Sequence, residues 1–174
     1  GILGAKEIKD ISSIDVSNNT AIKDIKGIEF FRYLEYLYCA RLGLSSLDIS
    51  RNNKLSILNC TSNNLVALDT SYNIELQQLD CPYNKIAELD LSNNVNLVVL
   101  NCSQNELTKL DFSKNVLLLN MACESNKLTS LDLSKNAELK FLYCGQNELT
   151  KLNISKNVKL QILDCAVNNL KVLN

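Results

Sequence analysis

Leucine, isoleucine and cysteine recur along this chain with a fixed period of 21 residues. The repeating unit reads L-x-x-L-x-C-x-x-N-x-L-x-x-L-D-L-S-x-N-x-x over residues 34–174. Its two halves resemble each other, because Leu-x-Cys-x-x-Asn in the first corresponds to Leu-Asp-Leu-Ser-x-Asn in the second. Each half places two apolar residues two positions apart, the spacing at which a short strand turns both side chains to one face. The pattern therefore predicts coils with two short extended edges.

Asparagine ends each half of the unit. It tolerates left-handed backbone and bonds to its own turn, so we expect it to form the corners of a chain with only five glycines and one proline. The first column is Asn63, Asn84, Asn105, Asn126, Asn147 and Asn168, with Leu42 in the first repeat. The second column is Asn52, Asn73, Asn94, Asn115, Asn136 and Asn157. We predict two structural ladders whose stacked amides satisfy the backbone and one another.

A fixed period of this length is typical of a solenoid. The unit resembles the leucine-rich repeat, whose core reads L-x-x-L-x-L-x-x-N/C-x-L, and in particular the bacterial class with nested half-repeats that is related to internalin-type surface proteins. The resemblance implies a right-handed leucine-rich-repeat solenoid, α/β by class convention but here mostly parallel β with little helix. Leu42, Met121, Asn153 and Asn174 depart from the consensus. Each departure affects a single coil and leaves the predicted fold unchanged.

Residues 1–33 depart from the period, and we predict that they form a cap and an irregular wide first coil within one structural domain. The segment Ile14–Asn19 reads I-D-V-S-N-N and is interpreted as a first Leu-Asp-Leu-Ser-x-Asn half. The next such half begins at Leu47, 33 residues later. This distance predicts an insertion that forms a helical or 3₁₀ turn within Ile22–Tyr33.

The two ends of the chain leave alternatives open. Residues 1–11 suit either an ordinary amphipathic helix or the end of an EF-hand loop, in which Gly1, Leu3 and Glu7 fit loop positions. Because the earlier ligands of such a loop are missing, we predict no calcium site there. The repeats stop at Leu173 and Asn174 without a polar cap. We therefore expect either that the native protein continues or that the last coil packs on another molecule.

The cysteines mark the same position in seven successive repeats: Cys39, Cys60, Cys81, Cys102, Cys123, Cys144 and Cys165. Parallel coils place neighbouring backbones about 4.8 Å apart, but side chains in register point the same way and do not present the disulfide dihedral. The sequence has no C-x-x-C pair of the kind that binds zinc. A buried thiol behaves as a small hydrophobe. We predict an inert ladder in the core, with no metal and no cofactor.

A column of aspartates lies within the second half of the repeats, between its two apolar residues: Asp48, Asp69, Asp90, Asp111 and Asp132, with Asn153 next. Like charges at strand spacing repel, so we expect either nearby lysines or turn amides to offset them. A row of calcium sites is a third interpretation. It is less favoured because Asn153 replaces aspartate while the neighbouring lysine is kept.

Composition excludes several classes of function. The formal net charge is −1, which gives no field to attract nucleic acid or an acidic membrane. No apolar run reaches the roughly 18 residues of a membrane span. The chain has no histidine, so it lacks Ser-His and Cys-His pairs and imidazole ligands. We predict no catalytic residues, no nucleic-acid partner and no membrane insertion.

The repeat does not dictate the strand positions that point away from the core. We expect them to form the concave surface, where aromatic and β-branched residues concentrate. The predicted ligand-binding residues are Tyr36, Tyr38, Ile57, Tyr83, Val99, Phe141, Tyr143 and Ile162. Exposed aromatic and aliphatic groups rimmed by polar ones are typical of interaction sites. However, strands also favour these residue types for their own packing.

These observations favour a non-catalytic module that binds a protein or peptide ligand on its concave sheet. The internalin-type resemblance implies a bacterial surface or secreted protein. One alternative is a structural spacer or end-to-end assembly element of a larger secreted chain, with self-association through the uncapped C-terminal coil. Another is a carbohydrate-binding surface, since aromatic rings also stack on sugars.

Overall fold

The computed structural model describes residue 8 and residues 10–174. Most of the cap predicted over residues 1–11 lies outside these ranges, as do the residues compared with an EF-hand loop. The described chain contains a 3₁₀ helix at Ile28–Phe30, within the stretch where the sequence predicts a helical or 3₁₀ turn. No helix in the described ranges is long and apolar enough to cross a membrane.

Successive coils contribute three-residue strands to one parallel sheet of eight strands. The strands are β1 (Ser13–Asp15), β2 (Tyr36–Tyr38), β3 (Ile57–Asn59), β4 (Gln78–Asp80), β5 (Val99–Asn101), β6 (Asn120–Ala122), β7 (Phe141–Tyr143) and β9 (Ile162–Asp164). From β2 onward each residue pairs with the residue 21 positions later, as Val99 does with Asn120. The predicted parallel solenoid with little helix is confirmed.

The second half of most coils is not a strand, so the prediction of two strand-like edges is wrong there. In the described part of the chain only β8 (Lys151–Leu152) and β10 (Val172–Leu173) pair on that side. In the other coils the turn after this half is held by local bonds. Asp90 Oδ1, for example, accepts the amide of Ser92 at 2.9 Å, and the amide of Asn94 donates to the carbonyl of Leu91 at 3.0 Å.

The first coil differs from the prediction. Ser13 pairs with Tyr36, 23 positions later, and Ile14 pairs with Leu37. Ile14–Asn19 therefore corresponds to the Leu-x-Cys-x-x-Asn half of the repeat, whose strand lies in the main sheet. The interpretation of this segment as a Leu-Asp-Leu-Ser-x-Asn half is wrong. The two halves have the same apolar spacing, and Asp15 stands where aspartate stands in Leu-Asp-Leu-Ser-x-Asn. The sequence of this segment therefore resembles the second half. The coil is only slightly longer than the others.

The corners use left-handed backbone, but the asparagines of the two columns do not adopt it themselves as expected. The left-handed residue precedes the first Asn column in each repeat: Arg41, Ser62, Tyr83, Gln104, Ser125, Gln146 and Val167, with φ between 53° and 58°. Tyr83 and Val167 are bulky residues for which this conformation is strained. Since varied residues accept this geometry, the asparagine side chain that follows, and not the corner residue itself, stabilises the corner.

The core is built from columns of leucine and cysteine that run the length of the solenoid. Leu58, Leu79 and Leu142 are wholly buried at the centres of their strands, and Met121 takes the same place in β6 with almost no exposure. Methionine fits here because its flexible side chain fills a leucine-sized space. Burying each such side chain contributes about 2 kcal/mol. The columns therefore provide the main apolar stabilisation of the fold.

The first Asn ladder is fully bonded. Asn105 Nδ2 donates to the carbonyls of Cys81, Cys102 and Ser103 at 3.0, 3.1 and 3.2 Å. Its Oδ1 accepts the amide of Ile86 at 3.0 Å. Other members of the column repeat these contacts, as Asn126 does with Cys102 and Leu107. One side chain thus satisfies buried backbone groups of two coils, which confirms the structural ladder.

The second Asn ladder is bonded on one side only. Asn115 Nδ2 donates to the carbonyls of Leu91 and Asn94 at 3.1 and 2.7 Å. Its Oδ1 is buried and has no partner in the described part of the chain. Asn94 differs, because the hydroxyl of Thr70 donates to its Oδ1 at 2.7 Å. The amides bond to backbone and not to one another, so that part of the prediction is wrong.

The two ladders should therefore differ in their contribution to stability. We expect Asn105→Ala to lower the free energy of unfolding by about 3 kcal/mol or more, since it leaves several buried backbone groups without partners. We expect Asn115→Ala to cost about 1–2 kcal/mol less, because it also removes an unpartnered oxygen. Urea denaturation followed by circular dichroism measures both variants. Equal losses would contradict the difference in bonding.

Candidate functional site

The outer face of the eight-stranded sheet carries seven of the eight predicted ligand-binding residues. We call this surface the sheet face. In β2 to β7 the central residue is buried and the two flanking residues are partly exposed. Tyr36 and Tyr38 lie on β2, Ile57 on β3, Val99 on β5, Phe141 and Tyr143 on β7, and Ile162 on β9. Tyr83 lies beyond β4 at a left-handed corner and is 59% exposed.

A depression of about 370 Å³ opens on the sheet face between β4 and β7. We call it the trough. Its outward-facing lining is Asp80, Val99, Asn101, Asn120, Ala122, Phe141 and Tyr143. In register, Ala122 lies between Asn101 and Tyr143. Because alanine is the smallest side chain in that row of the lining, its neighbours form walls around a gap.

The trough brings together only some of the residues expected from the sequence. Val99, Phe141 and Tyr143 line it, whereas the other five predicted residues lie elsewhere. Four residues of the lining are not among those predicted from the sequence: Asp80, Asn101, Asn120 and Ala122. A signal for Ala122 was available, because it is the one small apolar residue in a row of aromatic, amide and acidic side chains.

Asp80 differs from its equivalents in neighbouring coils. Asn59, Asn101 and Asp164 each accept the amide two residues later, at 3.0–3.1 Å. Asp80 has no such amide, because the residue two positions later is Pro82, which lacks an N–H. Instead its Oδ2 accepts Gln78 Nε2 at 2.7 Å. The only proline of the chain therefore leaves one carboxylate without its usual backbone partner.

Two carboxyl groups, Asp80 in the trough and Glu124 beside it, are destabilised as anions. Burial raises the pKa of Asp80, and the hydrogen bond from Gln78 offsets this only in part. Burial also raises the pKa of Glu124, with a further contribution from the charge of Asp164. Gly145 follows Glu124 in the same row, and a Cβ there would lie 3.4 Å from Asp164 Oδ1. The two acids thus face each other across a residue without a side chain.

The aspartate column outside the sheet shows the opposite behaviour. The Oδ1 atoms of Asp48, Asp69, Asp90, Asp111 and Asp132 accept serine amides at 2.8–3.0 Å. Hydrogen bonding to the serine lowers the pKa of Asp90 despite repulsion from Asp69 and Asp111. Turn amides therefore offset the stacked charges, with lysine a minor contributor at Asp111. Asn153 accepts the amide of Ser155 in the same way, which explains why it can replace aspartate.

No group of three or more acidic or cysteine side chains is arranged to hold a metal ion within residues 8 and 10–174. The cysteines are free thiols, and all except Cys165 are buried. Loss of hydration on burial raises the pKa of Cys39, Cys102 and Cys144 to about 12. The predicted thiol ladder in the core is confirmed, and its buried thiols are protonated at neutral pH.

Repeated parallel strands, an asparagine ladder and a buried thiol column together define a leucine-rich-repeat solenoid of the internalin-like kind. The functional domain of InlJ from Listeria monocytogenes, described as including a cysteine ladder, is 34% identical with a TM-score of 0.78. The match covers 95% of this chain and 42% of that one. The chain matches no family model and no curated protein sequence.

Two further solved structures share the fold. A leucine-rich-repeat protein of Leptospira interrogans is 24% identical with a TM-score of 0.80, and the match covers 87% of this chain and 42% of that one. The leucine-rich-repeat domain of APL1B is 16% identical with a TM-score of 0.66, and the match covers 94% of this chain and 71% of that one. Repeat solenoids of this kind generally present extended binding surfaces. None of the three structures is described as an enzyme.

The burial of the thiols predicts selective alkylation. We expect iodoacetamide at pH 8 to modify only Cys165 in the native protein, because the other thiols are buried and hold their protons. Intact-protein mass spectrometry counts the adducts, and labelling in 8 M urea, with modification of all seven cysteines, is the control. Rapid native labelling of Cys102 would show that the core column is accessible.

The aspartate column predicts a specific dependence of stability on pH. A pKa lowered on folding adds stability above the unfolded value of about 3.8, and this contribution is lost as pH falls through the folded pKa. The variant with all five aspartates replaced by asparagine keeps the turn acceptors but cannot titrate. We expect its melting temperature to fall less between pH 6 and pH 2.5 than that of the wild type. An equal fall would mean that these carboxylates do not carry the acid sensitivity.

Proposed function

We propose that the chain is a non-catalytic interaction module that binds a protein or peptide ligand on its sheet face. The trough is the observation that carries this proposal, since it combines Val99, Phe141 and Tyr143 with amide and carboxyl groups. Apolar anchors with a few polar groups that fix orientation are characteristic of binding sites. Tyr36 and Tyr38 extend the aromatic surface towards the N-terminal coils.

The construction of the solenoid also supports a binding role. Each side chain of the sheet face stands on a strand that is paired on both sides, except in β1 and β9. A surface ordered before the ligand arrives loses little conformational freedom on binding, which favours affinity. The sheet-face side chains also vary from coil to coil while the columns beneath them stay constant. Variation over a constant scaffold is what recognition requires.

The similarity to InlJ supports placing the protein outside the cell or on a bacterial surface. It covers less than half of that structure, so this location is part of the proposal. The six buried free thiols do not argue against this location, because burial shields them from oxidants in solution. We propose no nucleic-acid partner, since the net charge is close to zero.

Selection from a phage-displayed random peptide library tests the proposal. Peptides enriched on the wild-type protein are measured against a variant with Tyr36→Ala, Phe141→Ala and Tyr143→Ala. We expect at least a tenfold loss of affinity, because truncated aromatic anchors cost about 1.4 kcal/mol or more. The matched control replaces exposed residues outside the sheet, with Tyr72→Ala, Val95→Ala and Val116→Ala.

The control variant should bind the selected peptides as the wild type does. Peptides that lose affinity on the control variant and not on the triple variant would place the binding surface outside the sheet and refute the proposal. Circular dichroism spectra and melting temperatures of both variants establish that loss of binding does not reflect loss of fold. Both variants change partly or fully exposed positions, so the core columns remain intact.

A further inference from the structure

We infer that the trough, with Asp80 in its lining and Glu124 two residues beyond Ala122, binds a lysine or arginine side chain of a peptide partner. This inference rests on the proposed function and specifies the chemistry of its ligand. It is drawn from the distribution of charge on the sheet face, from the lack of internal partners for those charges, and from the aromatic wall beside them.

Charge on the sheet face has one sign. Across the outward positions of the sheet-face strands β2 to β7 and β9, and the position after each cysteine, the charged residues are Asp80, Glu124 and Asp164. No lysine or arginine occupies these positions, although the chain has 18 of them. The nearest basic residues along the chain, Arg41 and Lys140, lie at the borders of the strands. The surface therefore complements a positive group.

These acids have no cation within the described part of the protein. The salt bridges there join Lys54 to Glu75, Lys127 to Glu106 and Lys159 to Glu138, all on other surfaces. Asp80 has the neutral amide of Gln78 as its partner, and Asp164 has the backbone amide of Ala166.

Desolvation without a balancing charge makes Asp80 and Glu124 hard to ionise. The raised pKa values of Asp80 and Glu124 reflect this deficit. The aspartates outside the sheet do not share it, since their turn amides already stabilise the charge. A ligand cation would supply the missing interaction only on the sheet face.

The remaining walls of the trough suit the rest of such a side chain. Lysine and arginine bury an apolar stem while the charged end keeps polar contacts. Val99 and Ala122 offer apolar contact to the stem, and the rings of Phe141 and Tyr143 attract a cation through their faces. Asn101 and Asn120 add side-chain carbonyl oxygens that accept hydrogen bonds. The trough thus presents a carboxyl group, aromatic rings and side-chain amides to one cationic group.

Two peptides that differ only in charge test the inference. The probe is acetyl-Gly-Arg-Gly-Arg-Gly-amide, and its neutral counterpart carries citrulline in place of arginine. Each is titrated to 10 mM into ¹⁵N-labelled protein, and the amide resonances of Asn101, Ala122 and Tyr143 are followed. We expect these resonances to shift with the arginine peptide, with at least fivefold weaker binding of the citrulline peptide and weaker binding of both at 0.5 M salt.

Variants locate the binding charges. Asp80→Asn with Glu124→Gln should abolish the preference for arginine, and asparagine is tolerated at the first position because Asn59 and Asn101 occupy it in other coils. The matched control Asp90→Asn removes an acid outside the sheet and keeps its turn acceptor. It should bind the arginine peptide as the wild type does.

Several results would overturn the inference. These are absence of shifts up to 10 mM, equal affinity for the two peptides, and an arginine preference that survives the double substitution. Stronger shifts of the same amides with chitotriose than with the arginine peptide would indicate a sugar site instead. Phage-selected peptides that bind the sheet face without lysine or arginine would leave the proposed function standing and refute only the cationic ligand.

Discussion

Each coil must leave the sheet through a sharp corner that buries backbone amides and carbonyls away from water, and buried groups of this kind are costly unless bonded. Asn105 shows how the chain meets this constraint. Its side chain reaches a carbonyl 24 residues back and an amide 19 residues back, as well as carbonyls of its own coil. These contacts form only when successive coils have equal length. The regular period of the sequence is therefore the consequence of a repeated hydrogen-bonding requirement.

Coils of equal length place residues of the same repeat position side by side. Each residue of a column therefore contacts its equivalents in the neighbouring coils. Leucine and cysteine tolerate this because apolar neighbours pack. Aspartate tolerates it because each carboxylate, such as Asp90, bonds to an amide of its own turn. The sheet face is free of these demands, since no other element of the described chain packs on it. A carboxylate without a turn amide occurs there, at Asp80, because Pro82 offers no donor.

The same construction relates the chain to other leucine-rich-repeat proteins. The thiol column has a counterpart in InlJ, whose functional domain is described as including a cysteine ladder. Similarity to InlJ therefore supports the fold more strongly than any particular ligand, and the trough is where we propose that a ligand binds. Its combination of Phe141, Tyr143 and unbalanced acid is a property of this sequence.

The sequence alone determined the period, the ladders, the buried thiols and the face that carries variable residues, because each follows from one unit repeated in register. It did not decide which half of the repeat begins at Ile14, since both halves have the same apolar spacing and aspartate suits the turn after either one. It also did not reveal the left-handed corners at residues such as Val167 or the trough around Ala122. Those depend on which side chains become neighbours across coils, and only the tertiary structure fixes that register and the space it leaves.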